Sequence, residues 1–238
     1  MKQLQTVVLT GYGAVLPSEG ARQIENFKIE DYPLSPKTYL DRASALALAG
    51  GALALRDAGI KSPVENADQF GLTLGTHLGC LETMKGFWED AVAKGVRLAK
   101  PLLFSHSYVN SPISLCAIEF GLKGYHATFC AGRNSGLEAV RAGFDAIRLG
   151  HAQAMLCGGV EALTPARQTC EAGDLGEASV FFVLEAQQRA EERGRLEISD
   201  EMLNEAAQNQ NTIERFGDCG GATGTLELLE ILKAEKIP

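Results

Sequence analysis

The sequence predicts an α/β protein built on a layered sheet. Short apolar runs of β-compatible residues alternate along the chain with longer segments in which apolar residues recur at helical spacing. The 26 glycines concentrate at the junctions between these runs, as expected where strands and helices connect tightly and pack closely. With 45% hydrophobic and 22% charged residues over 238 positions, the chain can bury a sizeable core.

The N-terminal half contains two strand patterns separated by an alanine- and leucine-rich helix pattern. The first strand runs into Gly11-Tyr12-Gly13, where Leu16 replaces the third glycine of a dinucleotide-binding loop. We therefore expect a tight turn there rather than a nucleotide site. Trp88 is expected in the core or at its rim. In order, the pattern predicts a strand at residues 6–10, a loop at 17–38, a helix at 40–58, a strand at 70–75, a helix at 79–94, an apolar loop at 100–110, and a helix capped by Ser111 and ended by Gly121.

The middle of the chain predicts a strand–turn–helix elbow. A strand pattern at residues 125–130 meets a turn of small residues, and Ser135 is expected to cap the amphipathic helix that follows and ends at Gly150. Such an elbow often carries a nucleophile, because the partial positive charge of the helix N-terminus stabilises a thiolate or an oxyanion. The residue at the apex of this elbow is Arg133.

The C-terminal third carries two further strand patterns and weaker helical ones. Residues 179–184 are the most β-like run, because branched and aromatic side chains dominate it. Residues 195–215 carry little apolar signal, from which we expect a short helix and loops. The other elements predicted here are a strand at 153–157 closed by Gly158 and Gly159, a loop at 164–176, a helix at 187–193, a glycine-rich segment at 217–224 and a helix at 226–234.

Charge and cysteine usage exclude several classes of function. The net charge of −8 argues against nucleic acid and anionic membranes as partners. No apolar run is long enough to span a bilayer, and the N-terminus leads directly into a strand pattern without a signal peptide, so a cytoplasmic location is expected. The six cysteines lack a C-x-x-C spacing and the four histidines are scattered, which predicts reduced thiols and no metal site.

Six short motifs stand in order along the chain. They are Gly-Tyr-Gly-Ala-Val at 11–15, Leu-Asp-Arg-Ala-Ser at 40–44, Leu-Gly-Thr at 74–76, Phe-Gly-Leu-Lys-Gly at 120–124, Ser-Gly-Leu-Glu-Ala at 135–139 and Leu-Cys-Gly-Gly-Val-Glu-Ala at 156–162. The same order is found in β-ketoacyl synthases, and the chain resembles this family over residues 6–186 almost continuously. The resemblance resumes at residues 216–238, where the segment from Gly217 to Gly224 is similar to the glycine-rich segment of the family.

This resemblance implies a thiolase-like fold of layered α-β-α halves that works as a dimer without a cofactor. Family members condense an acyl chain with a malonyl unit, both carried on acyl carrier protein, using a cysteine at the elbow and two histidines. The segment that would hold one of these histidines is absent here. We therefore expect a ketosynthase-like N-terminal domain at residues 1–186. Residues 187–238 are expected to be a strongly truncated remnant of the C-terminal half, packed on the same domain.

The resemblance also places Arg133 where the family has its cysteine, and Asp218 where it has the histidine of the glycine-rich segment. A guanidinium stays protonated and cannot attack, and an ionised aspartate cannot donate a hydrogen bond to a developing enolate. Both catalytic positions are therefore expected to be degenerate. One hypothesis is that Arg133 and Asp218 pair across the former pocket and plug it as a buried ion pair. The alternative is that Arg133 extends into solvent.

Other nucleophile and base candidates have structural interpretations. Cys130 lies within the strand pattern, where we expect a buried structural thiol, with a shifted nucleophile as the alternative. His77, His106 and His151 show no partner in the sequence, so loop or surface positions are expected. If Cys130 were the nucleophile, the chain would be a self-contained acyl transferase or thioesterase. A homodimeric acyl-binding scaffold is a further alternative.

Two arguments predict an obligate partner. The strand at residues 125–130 occupies the place where family dimers join their sheets edge to edge, and an unpaired edge invites aggregation. The missing half-domain would also leave one face of the sheet uncovered. The predicted dimer-interface residues are Tyr125, His126, Ala127, Thr128, Phe129 and Cys130.

Among family members, the chain most resembles chain-length factors, the cysteine-lacking subunits that shape the acyl tunnel of an active ketosynthase. Its truncated form is similar to those of aryl-polyene and related type II polyketide systems, although chain-length factors commonly carry glutamine at the apex. The implied partner is an active ketosynthase subunit, which would supply the basic docking patch for acyl carrier protein. The tunnel-shaping candidates, for each of which core packing is the alternative, are Leu103, Phe104, Ile113, Cys116 and Phe120.

Overall fold

A mixed six-stranded sheet forms the centre of the protein in a computed structural model, which describes residues 4–190 and 193–235. The strands are β1 (Val7–Val15), β2 (Phe70–Gly75), β3 (His126–Phe129), β4 (Ala154–Glu161), β5 (Ala178–Ala186) and β6 (Leu196–Glu197). The α-helices are α1 (Arg42–Asp57), α2 (Leu81–Lys94), α3 (Pro101–Ser105), α4 (Ser111–Phe120), α5 (Ser135–Arg148), α6 (Pro165–Cys170), α7 (Gln187–Ala190), α8 (Asp200–Gln208), α9 (Thr212–Phe216) and α10 (Thr223–Ala234).

The strand order is β3-β2-β4-β5-β1-β6, so β3 and β6 lie at the two edges. Strand β2 pairs in parallel with both β3 and β4, whereas β5 runs antiparallel to its neighbours β4 and β1. The carboxyl ends of β3, β2 and β4 consequently meet at one end of the sheet. In open α/β sheets this end is where functional side chains gather.

Helices cover both faces of the sheet and produce an α-β-α sandwich. On one face, α1 and α4 pack through the apolar cluster that includes Leu46 and Phe120. On the other, α5, α8 and α10 pack through a second cluster that includes Phe144, Leu203 and Leu229. The expectation that one face would be left uncovered is therefore wrong, because the predicted helix α10 covers it together with α8, which lies in the segment of weak apolar signal.

Several glycines serve close packing instead of the turns that the sequence predicted. Gly11 and Gly13 lie inside β1, which continues to Val15, so the predicted tight turn is wrong. A Cβ atom on Gly11 would lie 2.4 Å from the backbone nitrogen of Ala58, and one on Gly13 would lie 2.3 Å from the carbonyl oxygen of Gly50. The missing side chains therefore let α1 lie directly against β1.

Strand β4 also continues through the glycines that were expected to close it. Gly158 and Gly159 are ladder residues, and the strand ends only at Glu161. A Cβ atom on Gly158 would lie 2.1 Å from the carbonyl oxygen of Val180 on β5, so the glycine permits a close approach between neighbouring strands.

The local prediction is confirmed for most strands and helices and wrong for several loops. Strand β2 has the predicted bounds, and Gly121 ends α4 in the left-handed conformation with φ of 70°. The predicted loops at 100–110 and 164–176 contain α3 and α6, the latter capped by the Thr164 side chain. Residues 195–215 hold β6, α8 and α9. The predicted helix at 187–193 is seen as α7, and residues 191–192 lie outside the described residues.

Candidate functional site

The elbow between β3 and α5 lies at the carboxyl ends of the parallel strands. After β3 the chain makes a 3-10 turn at Gly132–Asn134 and enters α5 at once. The Ser135 hydroxyl accepts a hydrogen bond from the Ala131 N–H at 2.7 Å and donates one to the Gly132 carbonyl at 2.6 Å. Ser135 therefore fixes the turn from inside the helix, and the prediction that it caps α5 is wrong. Ser111 is likewise the first residue of α4 rather than its cap.

Arg133 at the apex of this elbow forms an ion pair with Asp218. Its Nε and Nη2 atoms each lie 2.7 Å from Asp218 Oδ2. The paired geometry matches the hypothesis, and the alternative of a free solvent-exposed guanidinium is wrong. The pair is not a buried plug, however, because the Arg133 side chain is 55% exposed and that of Asp218 is 20% exposed. The pair instead lies at the protein surface, with Arg133 more exposed than Asp218.

Asp218 is held as a carboxylate. Burial by itself would raise the pKa of Asp218, but hydrogen bonds from Arg133 and from the Gly220 N–H, with the charges of Arg133 and Arg167, lower this pKa below its ordinary value. The group is thus ionised near neutral pH. In that state it accepts hydrogen bonds and cannot donate one.

Arg167, which the sequence did not single out, fixes the backbone around Asp218. Its side chain is only 1% exposed, and it donates to the carbonyl oxygens of Asp218 at 2.9 Å and Gly176 at 2.8 Å. Its Nε atom also binds Glu171 Oε2 at 2.6 Å. Glu171 in turn lies 3.2 Å from His77 Nε2, so His77 has the partner that the sequence did not reveal. A buried arginine with these contacts makes the position of Asp218 rigid.

Glu161 ties the glycine-rich segment to the loop after β2. This buried carboxylate ends β4 and accepts hydrogen bonds from the backbone N–H groups of His77 at 2.5 Å, Leu78 at 3.1 Å and Gly221 at 2.9 Å. Burial raises the pKa of Glu161, while nearby Arg167 and these N–H groups oppose the rise. In the sequence, Glu161 is marked only by its place in the motif at 156–162, as the acidic residue that ends a buried apolar run.

Cys130 follows β3 and is exposed, so the expectation of a buried thiol is wrong. Burial of part of the group and the nearby Glu161 charge both raise the pKa of the Cys130 thiol. Because the thiolate is the attacking form of cysteine, this environment works against a nucleophile. Cys170 is also exposed, whereas the other four cysteines are buried free thiols.

Strand β3 presents a free backbone edge in the part of the chain that the structure describes. The N–H of Leu72 binds the carbonyl of Tyr125, and the N–H of Thr76 binds that of Phe129. Because backbone direction alternates along a strand, the N–H and C=O groups of His126 and Thr128 face away from β2. Tyr125, His126 and Cys130 are exposed, and Ala127, Thr128 and Phe129 are partly buried.

The tunnel candidates divide into two groups. Ile113, Cys116 and Phe120 lie on the buried side of α4 and belong to the apolar core, so the core-packing alternative holds for these three. Leu103 is partly buried, and Phe104 is 47% exposed. Only the two residues on α3 therefore remain available to an external ligand or partner.

The described residues contain neither a cluster of metal ligands nor a membrane-spanning helix. Within residues 4–190 and 193–235, no group of three or more histidine, cysteine, aspartate or glutamate side chains is placed to hold a metal ion. None of the helices in this part of the chain combines the length and apolarity that crossing a bilayer requires.

A mixed sheet between two helical layers, with a strand–turn–helix elbow at the carboxyl ends of its parallel strands, defines a thiolase-like, ketosynthase-type protein. Residues 6–180 match the family model of the β-ketoacyl synthase N-terminal domain. The chain belongs to the β-ketoacyl synthase family.

Similar proteins of known name include a polyketide synthase subunit and a 3-oxoacyl-[acyl-carrier-protein] synthase. The ketoacyl synthase alpha subunit of the tetracenomycin polyketide synthase of Streptomyces glaucescens is 29% identical, over 68% of this chain and 45% of the relative. A 3-oxoacyl-[acyl-carrier-protein] synthase 2 of Synechocystis sp. is 32% identical, over 53% of this chain and 30% of the relative. The chain thus spans less than half the length of these two relatives.

Solved structures share the fold at low sequence identity. The ishigamide ketosynthase/chain length factor superposes with a TM-score of 0.68 at 21% identity, covering 82% of this chain and 61% of that one. A β-ketoacyl synthase from Burkholderia phymatum superposes with a TM-score of 0.76 at 19% identity, covering 98% of this chain and 86% of that one.

Proposed function

We propose that this chain is a non-catalytic, chain-length-factor-like subunit that pairs with an active β-ketoacyl-[acyl-carrier-protein] synthase and helps to shape its acyl tunnel. The product class would be a polyketide, a polyene of the aryl-polyene kind or a fatty-acid-like chain. The observation that carries the proposal is the ion pair between Arg133 and Asp218 at the elbow. Residues 187–238 are, on this proposal, the remnant of a ketosynthase C-terminal half.

The chemistry of this pair opposes condensation within the chain itself. Acyl transfer to a ketosynthase needs a nucleophile at the elbow, and the side chain present at the apex is a guanidinium that stays protonated. Stabilising the enolate of the malonyl unit needs a hydrogen-bond donor. Burial would raise the pKa of Asp218, but Arg133 outweighs burial and lowers it, so Asp218 is ionised and can only accept hydrogen bonds. Both positions therefore favour a structural role.

The free edge of β3 supports pairing with another sheet. The outward N–H and C=O groups of His126 and Thr128 lack a strand partner among the described residues, and a partner strand would satisfy them. Solved relatives described as a ketosynthase/chain length factor, and as an acyl carrier protein in complex with its ketosynthase, give this proposal its partner class. With a net charge of −8, this chain would leave the docking of acidic carrier protein to the partner.

The second candidate function is acyl transfer or thioester hydrolysis by Cys130. Its exposed position at the carboxyl ends of the parallel strands favours access by a substrate. The raised pKa of its thiol, caused by partial burial and the Glu161 charge, opposes attack at neutral pH.

The test is co-expression with a cysteine-containing ketosynthase of the same organism, followed by mass measurement of the purified complex. We expect a stoichiometric heterodimer, and no acyl adduct on this chain when it is incubated alone with acyl-thioester substrates. An adduct that disappears in Cys130→Ser would select the second candidate. If the chain forms a homodimer and does not bind the ketosynthase, the acyl-binding scaffold is selected and the proposal is contradicted.

A further inference from the structure

Helix α2 carries its large apolar side chains on the outside. Of its 14 residues only Thr83 and Ala91 are buried. Met84, Trp88 and Val92 recur at four-residue spacing, and they are 47%, 69% and 71% exposed. A helix on the surface of an isolated globular domain directs such a stripe toward the core. The orientation of α2 therefore indicates that something else covers this stripe.

The apolar exposure continues beyond α2 into the next turn and α3. Val96 and Leu98 are 81% and 71% exposed, and Leu102 and Phe104 are each nearly half exposed. The Phe104 ring lies 5.4 Å from that of Phe87 on α2, measured between centroids, so the two helices form one continuous surface. We call it the α2–α3 surface, defined by Met84, Trp88, Val92, Val96, Leu98, Leu102 and Phe104. Contiguous patches of this kind mark interaction sites.

The α2–α3 surface is held firmly to the rest of the fold. The Thr83 hydroxyl donates to Asp41 Oδ2 at 2.7 Å, and Glu82 Oε2 accepts the Ala166 N–H at 2.8 Å. Within the surface itself, Asp90 pairs with Lys94 and accepts the Lys100 N–H at 3.0 Å, which joins the end of α2 to the start of α3. These contacts fix the orientation of α2, so its outward stripe is a built feature of the fold.

The surface connects to the groove beside β3. The Phe104 ring is 5.0 Å from the Tyr108 ring between centroids, and Val109, the next residue, lies close to Gly79 in the loop before α2. Asn110 then lines a groove together with Ile118, which is 79% exposed, and with His126, Ala127 and Thr128. The apolar surface and the free strand edge are thus parts of one continuous face.

Strand β3 is too short to form a stable interface by itself. The strand has four residues, whereas a stable protein interface involves roughly 20–30 residues on each side. A strand edge this short fixes the register of a partner and supplies little buried area. Additional contact area must come from the neighbouring surface.

We propose that the α2–α3 surface is the second half of the interface with the active ketosynthase subunit, with Trp88 as its central anchor. This inference rests on the proposed function and identifies how the partner is held. Lys85 and Lys94 on α2 are paired with Glu89 and Asp90. The chain as a whole carries a net charge of −8, so a protein partner matches this surface better than an anionic membrane.

The experiment uses Trp88 as a single reporter, since it is the only tryptophan. The chain is labelled with 5-fluorotryptophan and titrated with the unlabelled ketosynthase, and the fluorine resonance is followed. We expect the resonance to shift to a new position on binding. Trp88→Glu should weaken the complex by at least about 10-fold. The matched control is Leu4→Glu, because Leu4 is 59% exposed and lies outside the α2–α3 surface.

A second variant separates this inference from the proposed function. Thr128→Pro removes an N–H that faces the free edge and leaves the β2 pairing of β3 in place, so it should abolish the complex. If Thr128→Pro abolishes binding while Trp88→Glu binds like the wild type, the inference about the α2–α3 surface is wrong and the proposed function stands. If the wild-type chain forms no complex, both are wrong.

Two other occupants are tested with the same Trp88→Glu variant. Binding of the wild-type chain to phosphatidylglycerol/phosphatidylcholine vesicles that is lost in the variant would assign the surface to a membrane. Self-association that is lost in the variant, without any ketosynthase present, would assign it to a second copy. Either result would overturn the inference. Unchanged urea unfolding of Trp88→Glu is the control for an intact fold.

Discussion

Helices α2 and α5 have the same length, but the apolar stripe of α5 faces the core and that of α2 faces outward. Each has 14 residues, yet α5 buries nine of them against the sheet and against α10, while α2 buries two. In α5 the residues at helical spacing, such as Leu137 and Phe144, point inward. In α2 the corresponding stripe of Met84, Trp88 and Val92 points outward. The comparison shows that equal apolar content can stabilise the fold in one helix and create a binding surface in another.

The largest difference should appear when the central apolar side chain of each helix is truncated. Phe144→Ala removes a side chain that is 4% exposed and should lower the free energy of unfolding by about 3–5 kcal/mol, because it leaves a cavity in the core. Trp88→Ala should change it by less than about 0.5 kcal/mol, as expected for a surface position. Urea denaturation measures both. A similar loss in the two variants would contradict the distinction between the helices.

The glycines of the two helices offer a sharper test of opposite sign. A Cβ atom on Gly136 in α5 would lie 2.6 Å from the Gly221 carbonyl oxygen, so Gly136→Ala should cost about 1–3 kcal/mol through overpacking. A Cβ atom on Gly86 in α2 meets nothing within 4 Å, so Gly86→Ala should stabilise the chain by about 0.5–1 kcal/mol. Thermal unfolding of the two variants checks the signs, and stabilisation by Gly136→Ala would refute the packing described here.

The smallest expected effect concerns the ion pair at the start of α5. Burial would raise the pKa of Asp218, but the hydrogen bond and charge of Arg133 outweigh burial and lower this pKa. As the pH falls, Asp218 is therefore protonated in the unfolded chain before it is protonated in the folded chain. The stability from this group is therefore present above the ordinary aspartate pKa of about 3.9 and is lost as the pH falls through the lower, folded value. Because Arg133 is more than half exposed, solvent screening limits the contribution to about 1 kcal/mol or less.

The measurement is the unfolding free energy of wild type and Asp218→Asn across the acid range. The difference between them should be constant near neutral pH and should shrink below about pH 4. Glu230→Gln is a suitable control for an ion pair away from the elbow, because Glu230 on α10 pairs with Arg215 on α9 and with Lys233, and the pKa of Glu230 is also lowered. A difference for Asp218→Asn that grows as the pH falls would show that the carboxylate does not gain from Arg133.

Sequence periodicity predicted the elements whose signals are local. Strand β2 and helix α1 follow from apolar runs bounded by glycine and polar residues, and the elbow from a β-compatible run that meets small residues. The pairing of Arg133 with Asp218 was accessible only through the resemblance to a family in which both positions face one site. Neither residue has a local pattern that points to the other, since 85 positions separate them.

Contacts between distant segments were beyond the sequence pattern. The buried Arg167 beside Asp218, and the Glu161 carboxylate beneath Gly221, acquire their roles from backbone groups that the fold brings to them. The same holds for Gly11 and Gly13, which look like a turn until α1 packs against them. Burial of a polar group or a close backbone approach is a property of two segments, so neither segment encodes it alone.

The sequence by itself determined the alternation of strands and helices, the family and the identity of the side chain at the elbow, because each depends on short-range pattern or on aligned residue types. Only the tertiary structure decided which way a helix turns its apolar stripe. Residue spacing defines a stripe on α2 and on α5 alike, and the direction of each is set by what packs beneath it. For α5 that is the sheet. For α2 it is Asp41 and Ala166, whose polar contacts with Thr83 and Glu82 leave Trp88 facing outward.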